Sequence, residues 1–162
     1  MDDVAAIPAM LRQGGGAIVN VSSFATKVVP THETIYVASK AAMNGLTEGL
    51  WQDLHGSNIH VALVHPGPID TEIWDKGAHR SGYRGRLHPP ERVVEAILAA
   101  VRERRFEVTV PRASPPLLAA RLLRRRWPRA LRWGVRRMDP IPVPEIEAAR
   151  ERARRGLRLG ET

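Results

Sequence analysis

Two stretches of the chain are apolar almost without interruption, Ala17-Ile18-Val19-Asn20-Val21 and Ile59-His60-Val61-Ala62-Leu63-Val64. Runs of this length, rich in β-branched side chains, suit strands of a parallel sheet covered on both faces. Between them residues 34–54 carry a long helical pattern, so strand, helix and strand make one crossover unit with its strands parallel or close in one sheet. Residues 4–12 read as the end of a helix, stopped by Gln13-Gly14-Gly15-Gly16. These glycines follow a helix and precede a strand, the reverse of a dinucleotide-binding turn, so they read as a helix stop and a tight turn. After Pro89-Pro90, residues Glu91 to Arg105 place Val93, Val94, Ile97, Leu98 and Val101 at helical spacing, an amphipathic helix. Glu107-Val108-Thr109-Val110-Pro111 reads as a last short strand. Residues 112–138 suggest two short helices broken at Pro128, and residues 146–159 a further charged helix. The class is α/β.

This topology has a geometric consequence. The helix of residues 34–54 returns antiparallel to the strands, so its first two turns sit over the C-terminal edge of the sheet. Ser23 leaves the first strand at that edge, and Pro66-Gly67-Pro68-Ile69-Asp70-Thr71 leaves the second there. Ligand crevices of open α/β sheets lie at the C-terminal strand ends, so three separated pieces of sequence converge on one place. Residues 72–89, with Trp74, His79, Tyr83 and His88, show no clear period.

Tyr36 and Lys40 give the crevice a chemistry. Four residues apart on a helix they share a face, roughly 5 to 6 Å apart at Cβ. Unperturbed Tyr ionises near ~10, and a cation about 4 Å away in a partly screened site contributes up to ~4 kcal/mol to the phenolate. The pair therefore reads as a poised acid or base, effective when its proton leaves near working pH. Taken alone, Tyr-x-x-x-Lys is also an ordinary exposed helix pair, and Pro-Gly is also an ordinary turn.

Charge divides the chain in two. Residues 1–111 carry 11 Lys and Arg against 12 Asp and Glu, whereas residues 112–162 carry 14 against 5. Two parts are expected on this basis, a nearly neutral one over 1–111 and an Arg-rich helical extension over 112–162. From Arg112 to Met138 there are nine Arg and no acidic residue, interleaved with Leu and Trp. Three readings fit: a capping helical pair whose Arg stems cover apolar surface, peripheral attachment to an anionic membrane, or, least supported without a recognised module, nucleic-acid binding. Arg outnumbers Lys twenty-two to three, a bias attributable to a GC-rich genome. The absence of cysteine excludes a disulfide framework and thiolate zinc sites. The histidines show no metal-ligand spacing, so no metal is expected. No signal peptide or membrane span is indicated, and a cytoplasmic protein is expected.

Ser23, thirteen residues before Tyr36-Val37-Ala38-Ser39-Lys40, together with Ile18-Val19-Asn20-Val21-Ser22-Ser23, Ala38-Ser39-Lys40-Ala41-Ala42 and Pro66-Gly67 with Thr71, resembles the short-chain dehydrogenase/reductase family. The resemblance implies the C-terminal half of a Rossmann-like doubly wound parallel sheet. It implies hydride transfer between NAD or NADP and a small-molecule carbonyl or secondary alcohol. Tyr36 would exchange a proton with the substrate oxygen, Lys40 would assist the phenolate and hold the nicotinamide ribose, and Ser23 would hydrogen-bond the substrate oxygen. Pro66, Gly67 and Thr71 would flank the nicotinamide, residues 72–89 would form the substrate loop, and Asn20 would be structural. Ala38, Ala42, Gly45 and Gly49 make a small-residue stripe on another face of the helix of residues 34–54. In the resembled family this helix packs on its copy in an oligomer; an intramolecular contact is the alternative. The resemblance covers residues 4–111. The family's glycine-rich turn, its cofactor-selecting residue, its Asn-Ala-Gly segment and its catalytic Asn have no counterpart, so a fragment of a longer enzyme is expected. The alternative is a degenerate, non-catalytic relative kept for interaction or membrane contact through its tail.

Overall fold

The computed structural model describes residues 2–31, 33–72, 85–111 and 126–138, together with residues 148, 151, 152 and 155. In chain order come helix α1 (Asp2–Arg12), strand β1 (Gly16–Val21), helix α2 (Ala25–Val28), helix α3 (Thr34–Asp53), strand β2 (Ile59–Pro66), helix α4 (Glu91–Arg102), strand β3 (Glu107–Val110) and helix α5 (Pro128–Met138). The three strands form one parallel sheet in the order β1-β2-β3. Register runs from Gly16 opposite Ile59 to Val21 opposite Val64, and from Leu63 opposite Glu107 to Pro66 opposite Val110.

Alternation along the strands sends successive side chains to opposite faces. Ala62 and Val64 of β2 and Val108 and Val110 of β3 pack with Ala96 and Ala100 of α4, with Val19 of β1 at the margin. On the other face Asn20 donates to the Thr47 hydroxyl of α3 at 3.0 Å, a buried bond between two side chains. Asn20 is thus structural, as expected. β2 is covered on both sides and buried from Ile59 to His65. β1 is buried only at Ile18 and Asn20, so the expectation of two covered faces holds for β2 and is corrected for β1. Among the described residues β1 is the edge strand and has no neighbour beyond it.

α1 ends where the glycines predict. Gly15 N–H donates to Met10 O at 2.9 Å, and Gly14 and Gly15 have φ of +85° and +150°. A Cβ on Gly15 would lie 2.7 Å from Asn58 Nδ2, so close approach as well as backbone conformation selects glycine here. α3 turns Val37, Thr47 and Leu50 into the interior, with Lys40 and Asn44 half-buried along the same stripe. Its small-residue stripe, Ala38, Ala42, Gly45 and Gly49, is exposed, and nothing lies within 4 Å of a Cβ built at either glycine. The intramolecular contact considered for that stripe is therefore absent among the described residues. α4 has two apolar stripes. It buries Ala96 and Ala100 with Val93 and Ile97 beside them, while Val94, Leu98 and Val101 face outward.

Two features depart from the sequence reading. α2 was not anticipated, and β2 extends to Pro66, which makes that residue the last of the strand. The break expected at Pro128 is present, since α5 begins there, where a missing N–H costs nothing. The first helix of that pair, the helix of residues 146–159, and Trp74, His79 and Tyr83 fall wholly or largely outside the described residues. Among the described residues no helix is long and apolar enough to cross a membrane.

Candidate active site

β1 ends at Val21, but its pairing continues into the next residues. Ser22 N–H donates to Val64 O at 2.8 Å and Phe24 N–H to Pro66 O at 2.7 Å. The start of α3 is stapled to this strand end by two bonds. The Ser22 hydroxyl donates to Lys40 O at 3.1 Å, and Lys40 Nζ donates to Val21 O at 3.0 Å. An ammonium has three protons, so two remain for a ligand. Lys40 Nζ lies 5.9 Å from the centre of the Tyr36 ring. The Ser23 hydroxyl oxygen accepts Ala25 N–H at 3.1 Å, which orients it and leaves its own proton to donate. The two stapling bonds bring Lys40 of α3 to the backbone at Val21 and Ser22, next in sequence to Ser23, with its Nζ 5.9 Å from the Tyr36 ring centre.

Pro66 joins the site through its bond from Phe24. Gly67 is tied elsewhere: its N–H donates to Val110 O at 2.7 Å, and a Cβ there would meet that oxygen at 2.9 Å. The end of β3 is thus sufficient reason for glycine at this position. Thr71 is exposed four residues further on, and no hydrogen bond joins it to Ser23, Tyr36 or Lys40. His88 N–H donates to Pro68 O at 2.9 Å, and its carbonyl accepts Asp70 N–H at 2.8 Å.

A polar cluster that sequence reasoning missed lies under Ser23. His65, the penultimate residue of β2, is fully buried. Its Nδ1 is 3.3 Å from Ser23 O, and its Nε2 is 3.0 Å from Glu107 Oε1. His65 Nε2 lies within ion-pair distance of that oxygen without a directed hydrogen bond. Lys27 Nζ reaches the same carboxylate oxygen at 2.9 Å. Glu107 is held well below the usual carboxylate range, at about 2 rather than 4.5, first by His65, with burial opposing and Lys27 adding to the lowering. The one available signal was a histidine at the end of an otherwise apolar run, next to Pro-Gly.

A parallel sheet with helices against it, in the strand order β1-β2-β3, defines a Rossmann-like α/β protein. A sequence model of the family described as short chain dehydrogenase matches residues 4–81, which include all six predicted site residues. Over 97 residues the chain is 36% identical to an uncharacterised oxidoreductase of Staphylococcus aureus, covering 60% of this chain and 41% of that protein. A short chain dehydrogenase from Burkholderia cenocepacia solved with NADP aligns at TM-score 0.64 and 28% identity, over 86% of this chain and 53% of that one. A short chain dehydrogenase/reductase from Burkholderia phymatum solved with NAD aligns at TM-score 0.62 and 28% identity, over 75% and 51%. Residues 4–81 match the short-chain dehydrogenase family, and these likenesses support membership of the short-chain dehydrogenase/reductase family. The chain spans about two fifths of the length of the curated relatives it matches.

Proposed function

We propose that this chain is the catalytic half of a nicotinamide-dependent oxidoreductase acting on a small carbonyl compound or secondary alcohol, with Ser23, Tyr36 and Lys40 handling the proton. The observation that carries this reading is the staple from Lys40 Nζ to Val21 O at 3.0 Å, which fixes the ammonium two residues from Ser23 and beside the Tyr36 ring. The donors left over at this edge, two ammonium protons and two hydroxyls, fit the ribose of a nicotinamide nucleotide and a substrate oxygen. That nucleotide, NAD or NADP, supplies or accepts the hydride when bound. Tyr36 gives its phenolic proton to the substrate oxygen in reduction and takes it back in oxidation. Lys40 offsets the phenolate charge left behind and holds the ribose hydroxyls. Ser23, with its oxygen engaged by Ala25 N–H, donates its own proton to the substrate oxygen. Pro66, Gly67 and Thr71 flank the nicotinamide. The relatives solved with NADP and NAD support the cofactor class.

This reading needs a nucleotide-binding half, supplied by further sequence of the same polypeptide or by another chain. A second copy docking on the exposed small-residue face of α3 is the favoured assembly. A second function, non-catalytic contact with an anionic membrane, is favoured by one observation: Trp127 and Trp133 are 63% and 62% exposed on a segment whose only charges are Arg.

The test is turnover of NADH and NADPH with a panel of carbonyl compounds, using protein purified from its own cells with whatever completes it. Tyr36→Phe is expected to lower kcat at least ~100-fold, the low end of what a positioned general acid contributes, with an unchanged melting temperature. Turnover indifferent to Tyr36→Phe overturns the assignment, and membrane retention without turnover favours the second function.

A further inference from the structure

The carbonyl of Ser23 is a junction. The Thr26 hydroxyl donates to it at 2.8 Å, Asn44 Nδ2 of α3 donates in turn to Thr26 Oγ1 at 3.3 Å, and His65 Nδ1 approaches it from below at 3.3 Å. Beyond His65 the chain of contacts continues to Glu107 on β3 and returns through Lys27 to α2. The circuit therefore joins β2, β3, α2 and α3 at the backbone of one residue, and that residue carries the hydroxyl to which the proposed function gives the substrate oxygen. Nothing in the proton-handling chemistry uses His65, yet its ring is fully buried with each nitrogen turned toward an acceptor. A buried polar group is costly unless partnered, so the ring and the Ser23 carbonyl hold each other in place.

We propose that His65 is a positioning residue for Ser23: its Nδ1–H donates to the Ser23 carbonyl and locks the Ser23–Ala25 turn, while Glu107, itself clamped by Lys27, holds the ring in that orientation. The role rests on the catalytic reading of Ser23. Without the Nδ1 bond the Ser23 carbonyl keeps only the Thr26 N–H and hydroxyl, which belong to the same turn. The carbonyl then loses its tie to the β2 side chain, the Ala25 N–H to Ser23 Oγ bond loosens, and the hydroxyl loses its aim, while the nucleotide subsite around Lys40 keeps its own staple to β1.

Two substitutions separate this from a packing role. Asn places an amide nitrogen where Nδ1 stands, and Gln places one where Nε2 stands. Both remove an aromatic ring, so both are expected to lower the melting temperature alike. His65→Gln should speed hydrogen exchange at Ala25 N–H and lower kcat about tenfold, the equivalent of one hydrogen bond of ~1.4 kcal/mol, with the KM for the nucleotide unchanged. His65→Asn should restore both to within about threefold of the native protein, well inside the loss of a single bond. Exchange at Ala25 that is equal in the two variants, or activity that follows melting temperature rather than the identity of the substituent, overturns the proposal. Absence of turnover in every form would defeat the oxidoreductase reading, and Ala25 exchange would still decide the brace.

Discussion

β1 and β2 are written in nearly the same residues and meet different surroundings. Ile18-Val19 of β1 and Val61-Ala62 of β2 lie opposite each other in register, yet β2 is buried through seven residues and β1 at two. The difference lies outside the strands. β2 has a paired strand on each side and helices over both faces, whereas β1, among the described residues, has a strand on one side only. An apolar strand left as an open edge is a template for pairing, so β1 carries more hydrophobicity than its present surroundings use. The curated relatives that the chain matches are more than twice as long as the matched region.

Truncating side chains on the two strands tests this contrast most strongly. Leu63→Ala, at a residue 2% exposed, is expected to cost about 2–5 kcal/mol in denaturant melts, whereas Val19→Ala on half-covered β1 should cost about 1 kcal/mol or less. Equal costs would mean that β1 is covered after all and would remove the contrast. A smaller effect sharpens it from the charged side. The β2–β3 end is locked by Glu107, whose carboxyl ionises at about 2 in the fold against 4.5 ordinarily. On acidification the unfolded chain takes up the proton first, so this contribution is complete above about pH 4.5 and is lost as pH falls toward 2. Because the side chain is 31% exposed, solvent screening reduces the expected loss to about 1–2 kcal/mol. Urea melts from pH 6 to pH 2.5 should show it, and Glu107→Gln should flatten the slope over that interval. An unaltered slope would place the acid sensitivity elsewhere, leaving the two strand ends alike in charge.

Much of the site was legible because it depends on topology. Strand, helix and strand in that order carry Ser23, Tyr36 and Lys40 to one edge without reference to any distant contact. What was hidden depends on contacts across the sheet. His65 and Glu107 are far apart in sequence and meet through the register of β2 and β3, which hydrophobic periodicity does not encode. The resemblance put Gly67 beside the nicotinamide, and the carbonyl of Val110 is by itself reason enough for its lack of a side chain. α4 offers two apolar stripes, and spacing could not say that the stripe with Ala96 and Ala100, small enough for close approach, would turn inward. α2 is four residues long, too short for any period. It is held by the bonds of Thr26 and Ala25 to Ser23, and its C-cap, Val29, sits at a φ of 52° that a β-branched residue rarely adopts.

The central claim is that the edge shared by Ser23, Tyr36 and Lys40 moves a hydride between nicotinamide and a substrate carbon while Tyr36 moves the proton. The most direct measurement is isotope transfer in the completed protein, with reduced nicotinamide nucleotide deuterated at C4 and a carbonyl substrate. The account predicts deuterium on the former carbonyl carbon of the product, transferred directly and not from solvent, and lost with Tyr36→Phe. Product formed with solvent hydrogen at that carbon, or label transfer that persists undiminished in Tyr36→Phe, would contradict it.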